Sequence, residues 1–197
     1  MGAKESGKKK ICNALLAILE RKNLDDISVK ELIAEAGVNR STYNYHFYSI
    51  QNVFESVLDD FNEGLINYFE SLSQEVETNK MLELNVAQKC FQYLLDNKKT
   101  VLIIDKAGYG QALISRFEKS MESFFHGYEM TFDNDKGEEF TVSNGLLYEL
   151  TIKEYCFTVG ADLQLWMEYN FLLPIDEIIE SALSIKRMHL KRCKLLR

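Results

Sequence analysis

The sequence predicts an all-α protein, in which a head of three short helices containing a helix-turn-helix precedes a larger helical bundle. A single proline among 197 residues leaves few of the turns that a sheet-rich fold needs. Apolar residues recur at helical spacing through most of the chain. The segment 28–47 has the pattern of two short helices joined by a tight turn. We therefore predict two domains, residues 1–50 and residues 51–197.

The distribution of charge supports this division. The net charge is −7, but residues 1–50 hold eight Lys and Arg against six Asp and Glu. Residues 51–185 hold nine basic residues against twenty-four acidic ones, and residues 186–197 hold six basic residues and no acidic one. Because the acidic middle of the chain would repel phosphate groups, we expect any DNA contact at the N-terminal end.

The first helix is predicted from Lys8 to about Lys22, followed by a turn at residues 23–26. The lysines at its start, residues 8–10, are either an arm that reaches DNA or a solvated helix start. The apolar residues at helical spacing, which we expect to face inward, are Ile11, Leu15, Ile18 and Leu19.

The second helix has a recognisable start and end. Ser28 is the expected N-cap, and Glu31 follows at the spacing of a capping box. Gly37 can adopt the left-handed conformation that ends a helix. The apolar face between these signals consists of Val29, Leu32, Ile33 and Ala36.

The third helix is the candidate recognition helix. Asn39 is its expected N-cap, and Tyr43 and Phe47 lie four positions apart and are predicted to point inward with Val38. The second helix of a helix-turn-helix enters the major groove of DNA. The side chains left on the outside are Arg40, Ser41, Asn44, Tyr45 and His46.

At these residues the chain resembles the TetR family of one-component transcriptional regulators, and within it the branch of the dihydroxyacetone-kinase regulators. The matching pattern is Ser28, Val29, Ala36-Gly37-Val38, Ser41-Thr42, an aromatic residue and His46-Phe47. The chain departs from it at Ile33, where the family has a small Ala, at Asn44, where it has Tyr, and at Ile50, where it has Lys.

The resemblance implies a DNA-binding surface. Arg can bond guanine in bidentate fashion and Asn can bond adenine, so Arg40 and Asn44 are the expected base readers. Thr42, Tyr45 and His46 are expected on the phosphate side, although His46 is alternatively a partly buried histidine. The full set of predicted DNA-binding residues is Ser28, Lys30, Asn39, Arg40, Ser41, Thr42, Asn44, Tyr45 and His46.

The rest of the chain predicts further helices. A long one runs from Ile50 to about Ser73, with Val53, Val57, Phe61, Leu65 and Phe69 along one stripe. The other predicted elements are a helix at 82–97, a break at 98–110, a helix at 112–128, a polar acidic loop at 131–140, a helix at about 142–169 and a last helix at 176 to about 191.

The resemblance also implies an effector pocket among the middle helices, where aromatic residues are frequent. We therefore expect that an unknown small molecule controls DNA binding and that the protein acts as a repressor. The alternative is a DNA-binding protein that a protein partner controls, or one with an architectural role.

A homodimer is expected, because one head covers a half-site and a two-fold dimer reads a palindromic operator on double-stranded DNA. The last two helices hold more apolar residues than one core-facing stripe uses. In the alternative, Trp166 and its neighbours pack inside one subunit. The predicted dimer residues are Leu163, Trp166, Ile178, Ile179 and Leu183.

Other function classes find little support in the sequence. It contains no nucleophile-elbow, zinc-protease or phosphate-loop motif, so we predict no enzyme, no cofactor and no metal site. No apolar run is long enough for a membrane span, and no signal core follows the N-terminal lysines. The four cysteines are widely spaced, which predicts reduced thiols in a cytoplasmic protein.

Overall fold

The computed structural model describes residues 6–73, 79–126, 130–133, 139–142 and 144–180, and the side chains of residues 6–68, 88–126 and 144–180. These ranges contain eight α-helices that we label, a further helical segment at residues 175–180, one short 3-10 helix at Leu24–Asp26 and one hairpin. None of the helices in them is long and apolar enough to cross a membrane. The helices are α1 (Gly7–Leu19), α2 (Val29–Ala36), α3 (Arg40–His46), α4 (Ile50–Ser73), α5 (Asn79–Asp96), α6 (Lys98–Lys106), α7 (Gly110–Phe125) and α8 (Gly145–Glu168).

The first three helices form the predicted head, and the predicted caps are present. The Ser28 hydroxyl oxygen accepts a hydrogen bond from the backbone N–H of Glu31 at 3.2 Å. Gly37 ends α2 in the left-handed conformation, with φ of 62°. The Asn39 side chain accepts from the backbone N–H of Thr42 at 2.7 Å and so begins α3. The head therefore closes around the buried residues Ile11, Leu15, Ile18, Leu32, Tyr43 and Phe47.

Helix α4 joins the head to the rest of the chain, and its bounds are those the sequence predicts. It packs on α1 at one end and on α5 and α7 further along. Val53, Val57, Phe61 and Leu65 of the predicted stripe are buried, whereas the side chain of Phe69 lies outside the described ranges. One continuous helix therefore contacts both α1 of the head and the helices α5 and α7.

Helices α5 to α8 form the body, with α7 packed along α8. Aromatic rings fill much of its interior: the Phe61 and Phe117 rings stack at 5.9 Å, and the Phe125 and Tyr155 rings meet edge to face at 5.1 Å. Gly160 lets α7 approach α8, because a Cβ atom there would lie 2.9 Å from Cγ of Glu118. The helical class that the sequence predicts is confirmed.

The predicted break at residues 98–110 is wrong for most of its length. Lys98–Lys106 is helix α6, and Val101 and Ile104 are buried in the body. The turn follows only at Gly108, where φ is 86°. A short apolar run does not distinguish helix from strand by its periodicity, and the two glycines made the whole segment resemble a loop.

The prediction of a loop at residues 131–140 is wrong where the structure describes this segment, at residues 131–133 and 139–140. Met130–Asp133 and Glu139–Val142 form an antiparallel hairpin, β1 and β2, in which Phe132 is opposite Phe140. Apolar and polar residues alternate in both segments, which is the period of a strand, but each run is only four residues long. At the end of the chain, residues 175–180 are helical, and the rest of the predicted last helix lies outside the described residues.

Candidate DNA-binding site

One face of α3 points away from the head and carries the predicted recognition residues. Tyr43 and Phe47 are buried on the opposite face, with exposed fractions of 2% and 4%. This anchoring turns the side chains of Arg40, Ser41, Asn44 and Tyr45 towards solvent, and all four are exposed. Four of the predicted DNA-binding residues therefore lie on one surface.

Asn39 organises the hydroxyl groups at the start of this face. Its Oδ1 accepts hydrogen bonds from Oγ of Ser41 at 2.7 Å and from Oγ1 of Thr42 at 2.9 Å, besides the backbone N–H of Thr42. In this arrangement both hydroxyl hydrogens point to Asn39, so each hydroxyl has to rotate away from Asn39 before it can donate to a phosphate oxygen. For Asn39 Nδ2, no partner is recorded among the described residues, so this group remains a donor.

His46 lies where α1 meets α3. It is half-buried, its ring meets the Tyr45 ring edge to face at 4.8 Å, and a Cβ atom at Gly7 would lie 3.4 Å from its Nε2. The same Cβ atom would lie 2.7 Å from Cγ2 of Thr42. The glycine thus lets the first turn of α1 pack directly on α3, beside Thr42 and His46, two of the three predicted phosphate-side residues.

Several basic side chains of the head are paired with carboxylates. Lys22 binds the Glu31 carboxylate at 2.8 Å, and this hydrogen bond lowers the pKa of Glu31. Arg21 pairs with Glu35 at 2.9 Å, and Lys8 with Asp60 of α4 at 3.2 Å. Ser28 and Lys30 of α2 are exposed. In the described part of the chain, Lys9, Lys10, Lys30 and Arg40 have no recorded ion pair.

Tyr48 belongs to the same surface, although the sequence analysis omitted it. Its side chain is 87% exposed, the largest value among the exposed large apolar and aromatic residues that the structure describes. It lies between the buried Phe47 and Ser49, whose hydroxyl oxygen accepts from the backbone N–H of Asn52 and caps α4. Its exposure follows from the connection between α3 and α4, so no pattern in the sequence predicted it.

The predicted dimer residues that the structure describes are buried in the core and do not lie on the surface. Leu163, Trp166, Ile178 and Ile179 are buried within a single subunit, and Leu183 lies outside the described residues. The indole N–H of Trp166 donates to the carbonyl oxygen of Leu173 at 2.9 Å, and the Phe91 ring packs on it at 5.7 Å. The prediction that these four residues face a partner subunit is therefore wrong, because they complete the core of their own subunit. The alternative, that Trp166 packs inside one subunit, is confirmed.

Helix α8 exposes another apolar face instead. A row of side chains, apolar except for Glu154, follows one side of the helix from its first turn to its last, and Phe157 near its middle is 69% exposed. We call this row the α8 stripe. Its apolar members are Leu146, Leu147, Leu150, Phe157, Ala161 and Leu165, all exposed.

Polar contacts connect the body to the head through α4 and α6. The Arg116 guanidinium on α7 pairs with Glu55 and, at 3.4 Å, with Asp59 of α4. On α6, Lys99 pairs at 2.7 Å with Glu20, the residue that caps the end of α1. A movement of α6 or α7 would therefore be transmitted to the head through these polar contacts.

In the described part of the body, burial raises the pKa of several titratable groups. Burial raises the pKa of the Cys90 and Cys156 thiols, so both stay protonated. Burial also raises the pKa of Tyr93 to about 12, and its hydroxyl donates to the carbonyl oxygen of Phe61 at 2.7 Å. Among the residues described, no cluster of three His, Cys, Asp or Glu residues is placed to hold a metal ion.

No protein-family model and no curated protein matches the sequence. The fold does match solved structures. A regulator of Syntrophomonas wolfei assigned to the TetR family superposes with a TM-score of 0.69 at 14% identity, over 93% of this chain and 94% of that one. The regulator FadR of Bacillus subtilis, solved with stearoyl-CoA, gives 0.64 at 14% identity, over 90% and 96%. DhaS, an activator of a dihydroxyacetone kinase operon, gives 0.60 at 12% identity, over 94% and 96%.

Proposed function

We propose that this chain, which has the fold of the TetR-family transcriptional regulators, is itself a sequence-specific DNA-binding regulator that acts as a repressor in the cytoplasm. The observation that carries the proposal is the outward face of α3, where four polar or aromatic side chains are exposed opposite two buried anchors. A helix that displays such residues beside a second short helix is suited to the major groove.

Within this proposal, Arg40 and Asn44 read bases. They lie one helical turn apart on the outward face, and their side chains match the donor and acceptor pattern of guanine and adenine. The remaining proposed contacts hold the helix in register on the backbone. They are Ser28 and Lys30 from α2, and Asn39, Ser41, Thr42, Tyr45 and His46 from α3 and its cap.

We propose that two copies pair through the α8 stripe. An apolar row along a 24-residue helix is more than an isolated subunit usually exposes, and a second copy covers it by a two-fold axis. Such a dimer places two copies of α3 on successive turns of a palindromic operator, about 34–36 Å apart.

We propose further that a ligand bound in the body controls DNA binding. Support comes from FadR of Bacillus subtilis, which was solved with the long apolar acyl chain of stearoyl-CoA, and from the aromatic interior between α4, α5, α7 and α8 of this chain. An apolar molecule that separates these rings would shift α4, which is packed on the head. Residues 1–50 would then act as the reading domain and residues 51–197 as the sensing domain.

Selection of duplexes from a random double-stranded pool tests the DNA-binding proposal. We expect the purified chain to enrich one palindromic sequence, and a mobility-shift assay to give tighter binding to it than to scrambled DNA. Failure to enrich any sequence contradicts the proposal. Stearoyl-CoA and shorter acyl-CoAs, added to the complex, then test ligand control; release of DNA by none of a wide ligand panel favours control by a protein partner.

A further inference from the structure

The position of Tyr48 is set by its neighbours. Phe47 has extended backbone angles, with φ of −142° and ψ of 145°, and its ring is buried. Tyr48 follows directly, and its exposed fraction of 87% shows that its side chain points away from the core. Ser49 then begins α4 as its cap. Tyr48 therefore stands at the C-terminal end of α3 with its ring and hydroxyl in solvent.

Tyr45 presents the same chemistry three residues earlier. Its side chain is 84% exposed, and its ring meets His46 edge to face. Within the described part of the chain no hydrogen bond is recorded for either tyrosine hydroxyl. A tyrosine ring with a free hydroxyl suits a boundary where one side is apolar and the other polar, as at the sugar and phosphate of a DNA strand.

Near these tyrosines α3 itself carries no lysine or arginine, although the first turn of α1, which contains Lys9 and Lys10, packs on His46. Arg40, at the opposite end, is the one cation in the sequence of α3, a helix that the structure describes completely. Arg21 and Lys22 are paired with carboxylates. Within α3 and its connection to α4, the groups that a DNA strand meets at this end are therefore hydroxyl groups rather than lysines, and hydroxyl groups are ordinary partners of phosphate oxygens.

We propose that Tyr48 is a DNA-backbone contact residue, and that it and Tyr45 each donate a hydroxyl hydrogen bond to phosphate at the C-terminal end of α3. This inference rests on the proposed DNA-binding function. Because a neutral hydroxyl displaces no counterion, these contacts add affinity without adding to the salt dependence of binding.

Two substitutions of Tyr48 test this, and its exposure means that neither disturbs the fold. The probe is the duplex that the wild-type chain selects from the random pool, bound by the full-length chain at several salt concentrations. Tyr48→Phe should weaken binding roughly tenfold and leave the salt slope unchanged, since only a hydrogen bond to a charged group is lost. Tyr48→Lys should steepen the slope of log K against log salt by about 0.9 for each head bound, because the new cation reaches a phosphate.

Tyr169 at the end of α8 is the matched control, because it is also an exposed tyrosine. Tyr169→Phe should bind the duplex with the wild-type affinity. Tyr169→Lys should show the wild-type salt slope. If Tyr48→Phe binds as the wild type does, or if Tyr48→Lys keeps the wild-type slope, Tyr48 is not at the backbone and the inference is wrong. If the wild-type chain selects no duplex, the DNA-binding proposal itself fails, a result distinct from either of these.

Discussion

Asn39 has two roles that a pair of substitutions can separate. Its side chain caps α3 and holds two hydroxyl groups, and it belongs to the proposed DNA surface. Asn39→Ala should lower the free energy of unfolding by about 1 kcal/mol, because the cap is lost. Asn39→Asp keeps an acceptor at the cap and should retain stability, but its negative charge should weaken DNA binding.

Urea denaturation and a mobility-shift assay measure the two roles. Equal DNA binding by Asn39→Asp and the wild type would show that Asn39 is a cap alone.

Arg40 and Asn44 should behave as base readers. Arg40→Ala and Asn44→Ala should each cost about 1–3 kcal/mol of binding and relax the preference at one base pair. Lys30→Ala is the comparison, because a phosphate contact weakens binding to all sequences alike and flattens the salt slope. Repeating the duplex selection with each variant checks this. An equal loss on the operator and on random DNA for Arg40→Ala would place Arg40 on the backbone instead.

Asp162 makes stability depend on pH in the acidic range. Burial raises the pKa of its carboxyl group to about 6, and its Oδ2 has no partner in the described part of the chain. The folded chain therefore binds this proton more tightly than the unfolded chain, in which the pKa is about 4. The contribution of this group to stability then decreases as the pH rises from about 4 to about 6.

Asp162→Asn removes the buried charge, so it should raise the melting temperature at pH 7 and have less effect at pH 4. Glu63→Gln, at an exposed position of α4 outside the α8 stripe, is the control. A melting temperature that Asp162→Asn leaves unchanged at pH 7 contradicts this assignment.

At the scale of single elements, Gly64 sets how closely α5 approaches α4. A Cβ atom at Gly64 would lie 2.9 Å from Cζ of Tyr93, and the ring of Tyr93 is held by the rings of Phe61 and Tyr68. Gly64→Ala should therefore destabilise the chain by about 1–3 kcal/mol through overpacking, although alanine favours a helix.

Glu63→Ala, at the exposed neighbouring position, should be nearly neutral. Urea denaturation compares the two, and a stabilised Gly64→Ala variant would mean that α5 can move away without loss.

At the scale of the whole molecule, the α8 stripe should hold the dimer together. Phe157→Glu places a charge on an exposed apolar position, so it should dissociate the dimer and leave the subunit folded. Leu172→Glu is the matched control, because Leu172 is equally exposed but follows α8. Sedimentation equilibrium at micromolar concentration measures both. A wild-type chain of monomer mass rejects the dimer, and a dimeric Phe157→Glu variant moves the interface elsewhere.

Ile179→Glu would not test the interface. Ile179 is buried in its own subunit, so a charge there would unfold the chain whether or not it is a dimer. An apolar residue in the predicted last helix is therefore no evidence of an intermolecular contact.

Local signals were sufficient for the head. Ser28, Gly37 and Asn39 act within four residues of their own position, so the sequence alone determined where α2 ends and α3 begins, and which face of α3 is buried. The bounds of α4 followed for the same reason, because a long amphipathic stripe without a breaker has one stable conformation. The helical class needed no more than these patterns and a single proline.

Only the tertiary structure decided which apolar face of a helix is inside. Helix α8 is apolar on several sides, so its sequence could not show that Leu163 and Trp166 complete the core while Phe157 and Leu165 face solvent. The same applies to α6 and to the hairpin. Their apolar segments are too short to show a helical or a strand period, so their conformation depends on the surfaces they pack against. Tyr48 is an example at the level of one residue. Its exposure comes from the connection between α3 and α4 and not from any pattern in the sequence. Burial depends on what lies opposite a residue, and the chain brings that partner from a distant part of the sequence.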